Sequence, residues 1–98
     1  MRLRSISGEK LEEYFRRKFA ESGKWTRIGA WWDRKGENEL DMLAENELTG
    51  TYAVCEVKRQ GVKIDLEAVA GKFAAFQRTT GEWRKVKPSF LALSMADM

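Results

Sequence analysis

A chain of 98 residues, 43% of them hydrophobic, holds one domain with one core and is too apolar to be a disordered tail. The net charge of +3 admits a polyanionic partner without demanding one, and the absence of histidine excludes Ser-His-Asp and Cys-His catalysis and the usual zinc sites. Cys55 is the single cysteine, which rules out an internal disulfide or a cysteine cluster; chemistry is left to carboxylates, lysine, hydroxyls and backbone, and carboxylates favour Mg²⁺ or Mn²⁺.

Leu11, Tyr14, Phe15 and Phe19 recur at helical spacing and predict a helix over 8–22, with Ser7 as N-cap and Gly23 as stop. Residues 25–33 are rich in aromatic and β-favouring side chains and read as a strand. The turn Arg34-Lys35-Gly36-Glu37 follows, with a glycine for positive φ. Residues 38–45 and 51–59 read as two more strands around a turn at 46–50, giving an antiparallel meander. Gln60-Gly61 breaks the pattern. Asp65 then caps a second helix with its buried stripe at Leu66, Val69, Ala70, Phe73 and Phe76, closed by Gly81. Residues 82–87 are basic, 89–94 read as a last strand, and the final four residues as a frayed or short helical end. The predicted order is α-β-β-β-α-β, an α+β fold. The helical crossover should lay the last strand parallel to the third. No segment reads as a signal peptide or a membrane span, so a cytoplasmic location is expected.

Alternation along the third strand turns Ala53, Cys55 and Val57 one way and Tyr52, Val54, Glu56 and Lys58 the other. In the second strand it groups Glu39, Asp41 and Leu43 against Leu40 and Met42. Pairing Glu45 with Tyr52 brings Leu43 opposite Val54, Asp41 opposite Glu56 and Glu39 opposite Lys58. Facing carboxylates repel unless a divalent cation holds them ionised. Lys58 beside them suits a developing phosphoryl charge, which is the logic of metal-assisted phosphodiester hydrolysis. The plainer reading of a D…E-x-K pattern is a surface salt bridge across two strands.

The segments Glu39-Leu40-Asp41 and Cys55-Glu56-Val57-Lys58 resemble the core of PD-(D/E)xK nucleases, whose α-β-β-β-α-β order matches the predicted one. With Gly8-Glu9-Lys10-Leu11-Glu12 and Ile28-Gly29-Ala30-Trp31-Trp32-Asp33, the chain is similar to the nuclease-like domain found C-terminal to archaeal-type P-loop ATPases. The resemblance implies a restriction-endonuclease-like fold with a mixed, mainly antiparallel sheet. Asp41 and Glu56 would be its metal ligands, Lys58 the catalytic lysine and Glu12 the helix carboxylate that completes the site. It also implies Mg²⁺ or Mn²⁺ as cofactor, DNA or another nucleic acid as substrate, an upstream ATPase domain in the parent chain, and compatibility with a homodimer. No GxxxxGK(S/T) motif occurs in this chain, so it carries no ATPase of that kind. A catalytically inactive module that binds nucleic acid or protein and regulates the ATPase is the alternative, and a structural cap a third reading.

Arg34, Lys35 and Arg59 flank the carboxylates and are candidate phosphate contacts. The runs Arg16-Arg17-Lys18 and Trp83-Arg84-Lys85-Val86-Lys87 read first as solvated charge, and Trp31 and Trp32 as structural rather than base-stacking. Lys72 reads as an ordinary helix lysine, and Gln77 as a residue of the second helix that can approach the site.

Overall fold

The fold, described for residues 8–98 in a computed structural model, is a four-stranded sheet with one helix on each face. Helix α1 (Gly8–Glu21) and strand β1 (Arg27–Trp32) are followed by β2 (Glu39–Asn46) and β3 (Thr51–Val57). Helix α2 (Leu66–Gln77) and β4 (Ser89–Leu93) complete it, with single 3₁₀ turns at Gly61–Lys63 and Met95–Asp97. The strands lie in chain order, β1–β2–β3 antiparallel and β4 parallel to β3. The beginning of β2 and the ends of β3 and β4 therefore share one end of the sheet, and the beginnings of β3 and β4 share the other.

Each face has its own core. Leu11 and Phe15 of α1 cover Met42, Ala44, Ala53, Cys55 and Val57. On the other face Val69, Phe73 and Phe76 of α2 cover Leu40, Leu43 and Val54, joined by Trp83. Trp83 is held edge-on by Tyr52 at 5.0 Å, Phe76 at 5.7 Å and Phe73 at 6.0 Å between ring centroids. Each buried side chain of this size contributes about 1.5–3 kcal/mol, so these aromatics dominate the stability of the α2 face.

Local signals account for most element ends. Gly23 at φ +70° ends α1, as expected, and Gly36 at φ +70° makes the β1–β2 turn. The Asp65 carboxylate accepts the N–H groups of Glu67 at 3.0 Å and Ala68 at 3.3 Å, so the expected cap is present. The expected Ser7 cap lies outside the described residues. Helix α2 stops at Gln77 rather than Gly81, because the Thr79 N–H and hydroxyl both turn back onto the Phe76 carbonyl, at 2.9 and 2.7 Å. Trp25 is not part of β1; it stacks on Phe19 at 5.7 Å. At the chain's end Ser94 and Asp97 form a capping box over the last turn.

The expected register of β2 on β3 holds from Asn46–Thr51 through Met42–Cys55 and stops there. On its other side β2 carries a bulge: Gly29 pairs with Leu43 and Trp31 with Leu40, so two steps of β1 oppose three of β2. This overturns the expected faces of β2. Leu40 joins Leu43 under α2, while Met42 joins Ala44 under α1, since one extra residue shifts the alternation by one. Asp41 sits in the bulge instead of in a regular ladder pair with Glu56.

Candidate functional site

Asp41 and Glu56 lie at the end of the sheet where β2 begins and β3 finishes, with only 9% and 7% of their surface exposed. The bulge leaves the Val57 N–H without a ladder partner, and the Asp41 carboxylate accepts it at 2.8 Å. This bond anchors one oxygen of Asp41 beside the strand that carries Glu56. Glu12 approaches from α1, half-buried, so the helical spacing that places it on the sheet side is a sound guide. Its neighbour Glu13 points outward and pairs with Arg17 at 3.5 Å.

The electrostatics follow from this crowding. Burial, then the Asp41 charge, push the Glu12 carboxyl up to about 7, opposed by Arg16 and helped by Glu39 and a hydrogen bond to Asp41. Burial also raises Glu56, with Asp41 and Glu39 adding to the rise and Lys72 and Lys58 opposing it. Cys55 behind them is pushed up to about 12 by burial and by Asp41, which leaves it a plain apolar filler.

Among the described residues Glu56 forms one ion pair, with the Lys72 ammonium at 3.8 Å. Its other oxygen, Oε2, is buried without a hydrogen-bond partner. Lys72 is therefore more than the ordinary helix lysine expected. Three residues after Val69 and four before Phe76, it belongs to the sheet-facing side of α2, and that spacing is the available signal. Lys58 follows β3 directly; its N–H still donates to the Leu93 carbonyl at 3.0 Å, and its side chain is exposed. With Arg59, Gln60, Lys63, Val57 and Met95 it lines a concavity of about 530 Å³. Arg34 and Lys35 are exposed in the β1–β2 turn at this same end.

The structure therefore couples Asp41 to Glu12 on the α1 side and to Glu56 on the α2 side, with Glu39 adding like charge to both and Lys58 and Lys72 opposing it at Glu56. It does not bring Gln77 there: its amide donates to the carbonyls of Trp83 at 2.8 Å and Val86 at 3.0 Å. Trp31 packs on Phe76, but Trp32 is 68% exposed, contrary to a structural role for both.

The donor set suits a hard cation chemically, being carboxylate oxygens with one buried lone oxygen, Glu56 Oε2, to satisfy. Among the described residues, no three His, Cys, Asp or Glu side chains are gathered as a ready metal cage. Among the same residues no helix is long and apolar enough to cross a membrane. No curated protein and no solved structure is significantly similar to the chain. A family model does match residues 3–83, which include Glu12, Asp41, Glu56 and Lys58, and so the chain belongs to DUF234, a family of archaeal and bacterial proteins of unknown function.

Proposed function

We propose that the domain is a metal-dependent nuclease module that hydrolyses nucleic-acid phosphodiesters and serves a P-loop ATPase in its parent protein. The observation that carries this reading is the buried Glu56 Oε2, which has no hydrogen-bond partner although Asp41 and Glu39 press like charge on the same carboxyl, with the exposed Lys58 two residues on. A buried carboxylate oxygen left unsatisfied costs about 1–3 kcal/mol, a penalty that a bound cation would remove.

Asp41 and Glu56 would hold Mg²⁺ or Mn²⁺. When bound, the cation supplies Lewis-acid polarisation of the phosphoryl group. The protein's own residues do the rest. The Val57 N–H fixes one oxygen of the Asp41 carboxylate, which also takes a hydrogen bond from the Glu12 carboxyl while that is protonated. Lys58, on an exposed stem, presents an ammonium to the charge that develops on phosphate. Glu12 shares the Asp41 environment and completes the carboxylate set from the helix side. Arg34, Lys35 and Arg59, exposed at this end of the sheet, would hold the flanking phosphates.

Calorimetric titration of Mg²⁺ and Mn²⁺ tests the site, with an Asp41→Asn, Glu56→Gln protein as control and cleavage of end-labelled DNA and RNA as the second readout. Saturable binding and cleavage, both lost in the variant, are the expected outcome. Heat that is absent from both proteins would remove the metal reading.

One observation favours a second account. Lys72 already supplies a counter-charge to Glu56, and the carboxylates are not drawn into a cage among the described residues. A catalytically inactive module that binds nucleic acid or protein and regulates the ATPase fits that arrangement; it would bind without a cation and without cleaving.

A further inference from the structure

The segment between α2 and β4, at the far end of the sheet from the carboxylates, displays cations on a fixed frame. Trp83 is buried in the α2 aromatic cluster and anchors it. The Gln77 amide reaches in and donates to the carbonyls of Trp83 and Val86, with that of Arg84 at 3.5 Å. The Val86 N–H closes the turn onto the Trp83 carbonyl at 3.2 Å. With its carbonyls turned inward, the segment presents Arg84, Lys85 and Lys87 to solvent.

Two adjoining concavities, of about 770 and 700 Å³, meet at Gly81 and Arg84. The first runs to Lys85 and Lys87, the second to Arg78 at the end of α2. Among the described residues none of these four cations makes an ion pair or a side-chain hydrogen bond. The acid on the rim, Glu82, is drawn off by Arg27 at 3.5 Å. Four cations held together without counter-charges repel one another, and a polyanion removes that cost. No large exposed apolar side chain lines either concavity, so the surface lacks the anchors on which protein interfaces rely. Its aromatic rings are buried or half-buried in the core, which leaves no open ring for stacking on bases.

We infer that this double groove is a second binding site, taking the sugar-phosphate backbone of a nucleic-acid strand without regard to sequence. The inference shares with the proposed function only the class of partner and stands without the carboxylate chemistry. Tyr52, on the groove, is four residues of strand from Glu56, roughly 13 Å. A strand bound here would thus lie within a few nucleotides of the carboxylate end.

The test is fluorescence anisotropy with a labelled mixed-sequence 20-nucleotide DNA, and an RNA of the same sequence, in EDTA. Arg84→Gln, Lys85→Gln, Lys87→Gln is compared with Arg17→Gln, Lys18→Gln, Lys24→Gln, which removes equal charge from α1 and the loop that follows it. The groove variant should bind at least tenfold more weakly, and its slope of log affinity against log salt should fall by about 2, near 0.7 for each single-strand phosphate that is no longer neutralised. The control should lose much less. Gln77→Leu, which keeps every cation but frees the segment, should also weaken binding while the fold survives by circular dichroism. Equal loss in the control, an unchanged salt slope, wild-type binding by Gln77→Leu, or displacement by poly-glutamate at equal charge would each overturn the inference. Because EDTA removes divalent cations and Asp41 and Glu56 are intact throughout, these outcomes are independent of whether the metal reading stands or fails.

Discussion

Glu45 and Glu56 are both buried carboxylates on the α2 side of the sheet, one near each end. Glu45 lies 3.0 Å from the Arg27 guanidinium, whereas Glu56 lies 3.8 Å from the Lys72 ammonium. Each has an oxygen without a well-directed hydrogen bond, but that of Glu45, Oε1, is the one beside Arg27, so its charge is met even though the angle is poor. Glu56 Oε2 has no such neighbour, and Asp41 and Glu39 press on the same residue with like charge. Burial of a carboxylate is therefore common to a structural ion pair and a candidate site; the quality of the partner separates them.

The comparison breaks most visibly in activity. Glu56→Gln should lower cleavage at least about 100-fold, the scale of losing a charge that acts in the transition state. Glu45→Gln should leave the rate unchanged in protein that is still folded. Equal losses in both would mean that the two carboxylates do the same structural work.

Cation binding sharpens the same contrast without any substrate. At a hundred times its dissociation constant, Mg²⁺ or Mn²⁺ should stabilise the wild type by about 2.7 kcal/mol, read as a rise in Tm. Glu45→Gln should keep that rise and Glu56→Gln should lose it. A rise in both would place the cation elsewhere.

The counter-ions give a smaller effect, in stability alone. Arg27→Ala strands Glu45 and should cost about 1–3 kcal/mol in urea denaturation. Lys72→Ala should cost less than Arg27→Ala, because the longer separation leaves Glu56 less to lose, and Glu56 relieves its burial by taking up a proton. A larger loss from Lys72→Ala would make the Glu56 pair the structural one.

Much of this is legible in the residues. The periodicity of Leu11, Phe15, Val69, Phe73 and Phe76 announces both helices and their buried sides, and the alternation in β3 places Glu56 and Cys55 on opposite faces correctly. The turn glycines and the Asp65 cap carry their own backbone chemistry. The bulge in β2 leaves no such mark: Leu40 to Leu43 are uniformly apolar around Asp41, with no glycine or proline to betray an extra residue. The facing of Asp41 and Glu56 is lost with it, although both still reach the same end of the sheet. Helical spacing puts Lys72 on the sheet side of α2 but does not name Glu56 as its partner, and the Gln77 contacts depend on how the loop after α2 folds back, which no periodicity records.

Protonation supplies the finest distinction, because it separates Glu12 from an ordinary surface carboxylate such as Glu13. The folded protein holds the Glu12 proton up to about pH 7, while the unfolded chain releases it near 4.5. The folded state thus binds more protons between these values, and its stability must fall as pH rises through that window. Below pH 4.5 both states are protonated and the contribution is fully present; above about 7 it is gone. The raised Glu56 carboxyl adds a slope of the same sign. Glu12→Gln removes the Glu12 share, so its melting temperature should decline less than that of the wild type between pH 4.5 and 7, and Glu13→Gln should track the wild type. Saturating Mg²⁺ should flatten the wild-type slope as well, since a cation held by Asp41 and Glu56 favours the ionised carboxylates that burial alone resists. Parallel curves for wild type and Glu12→Gln would return Glu12 to the solvated edge of its helix.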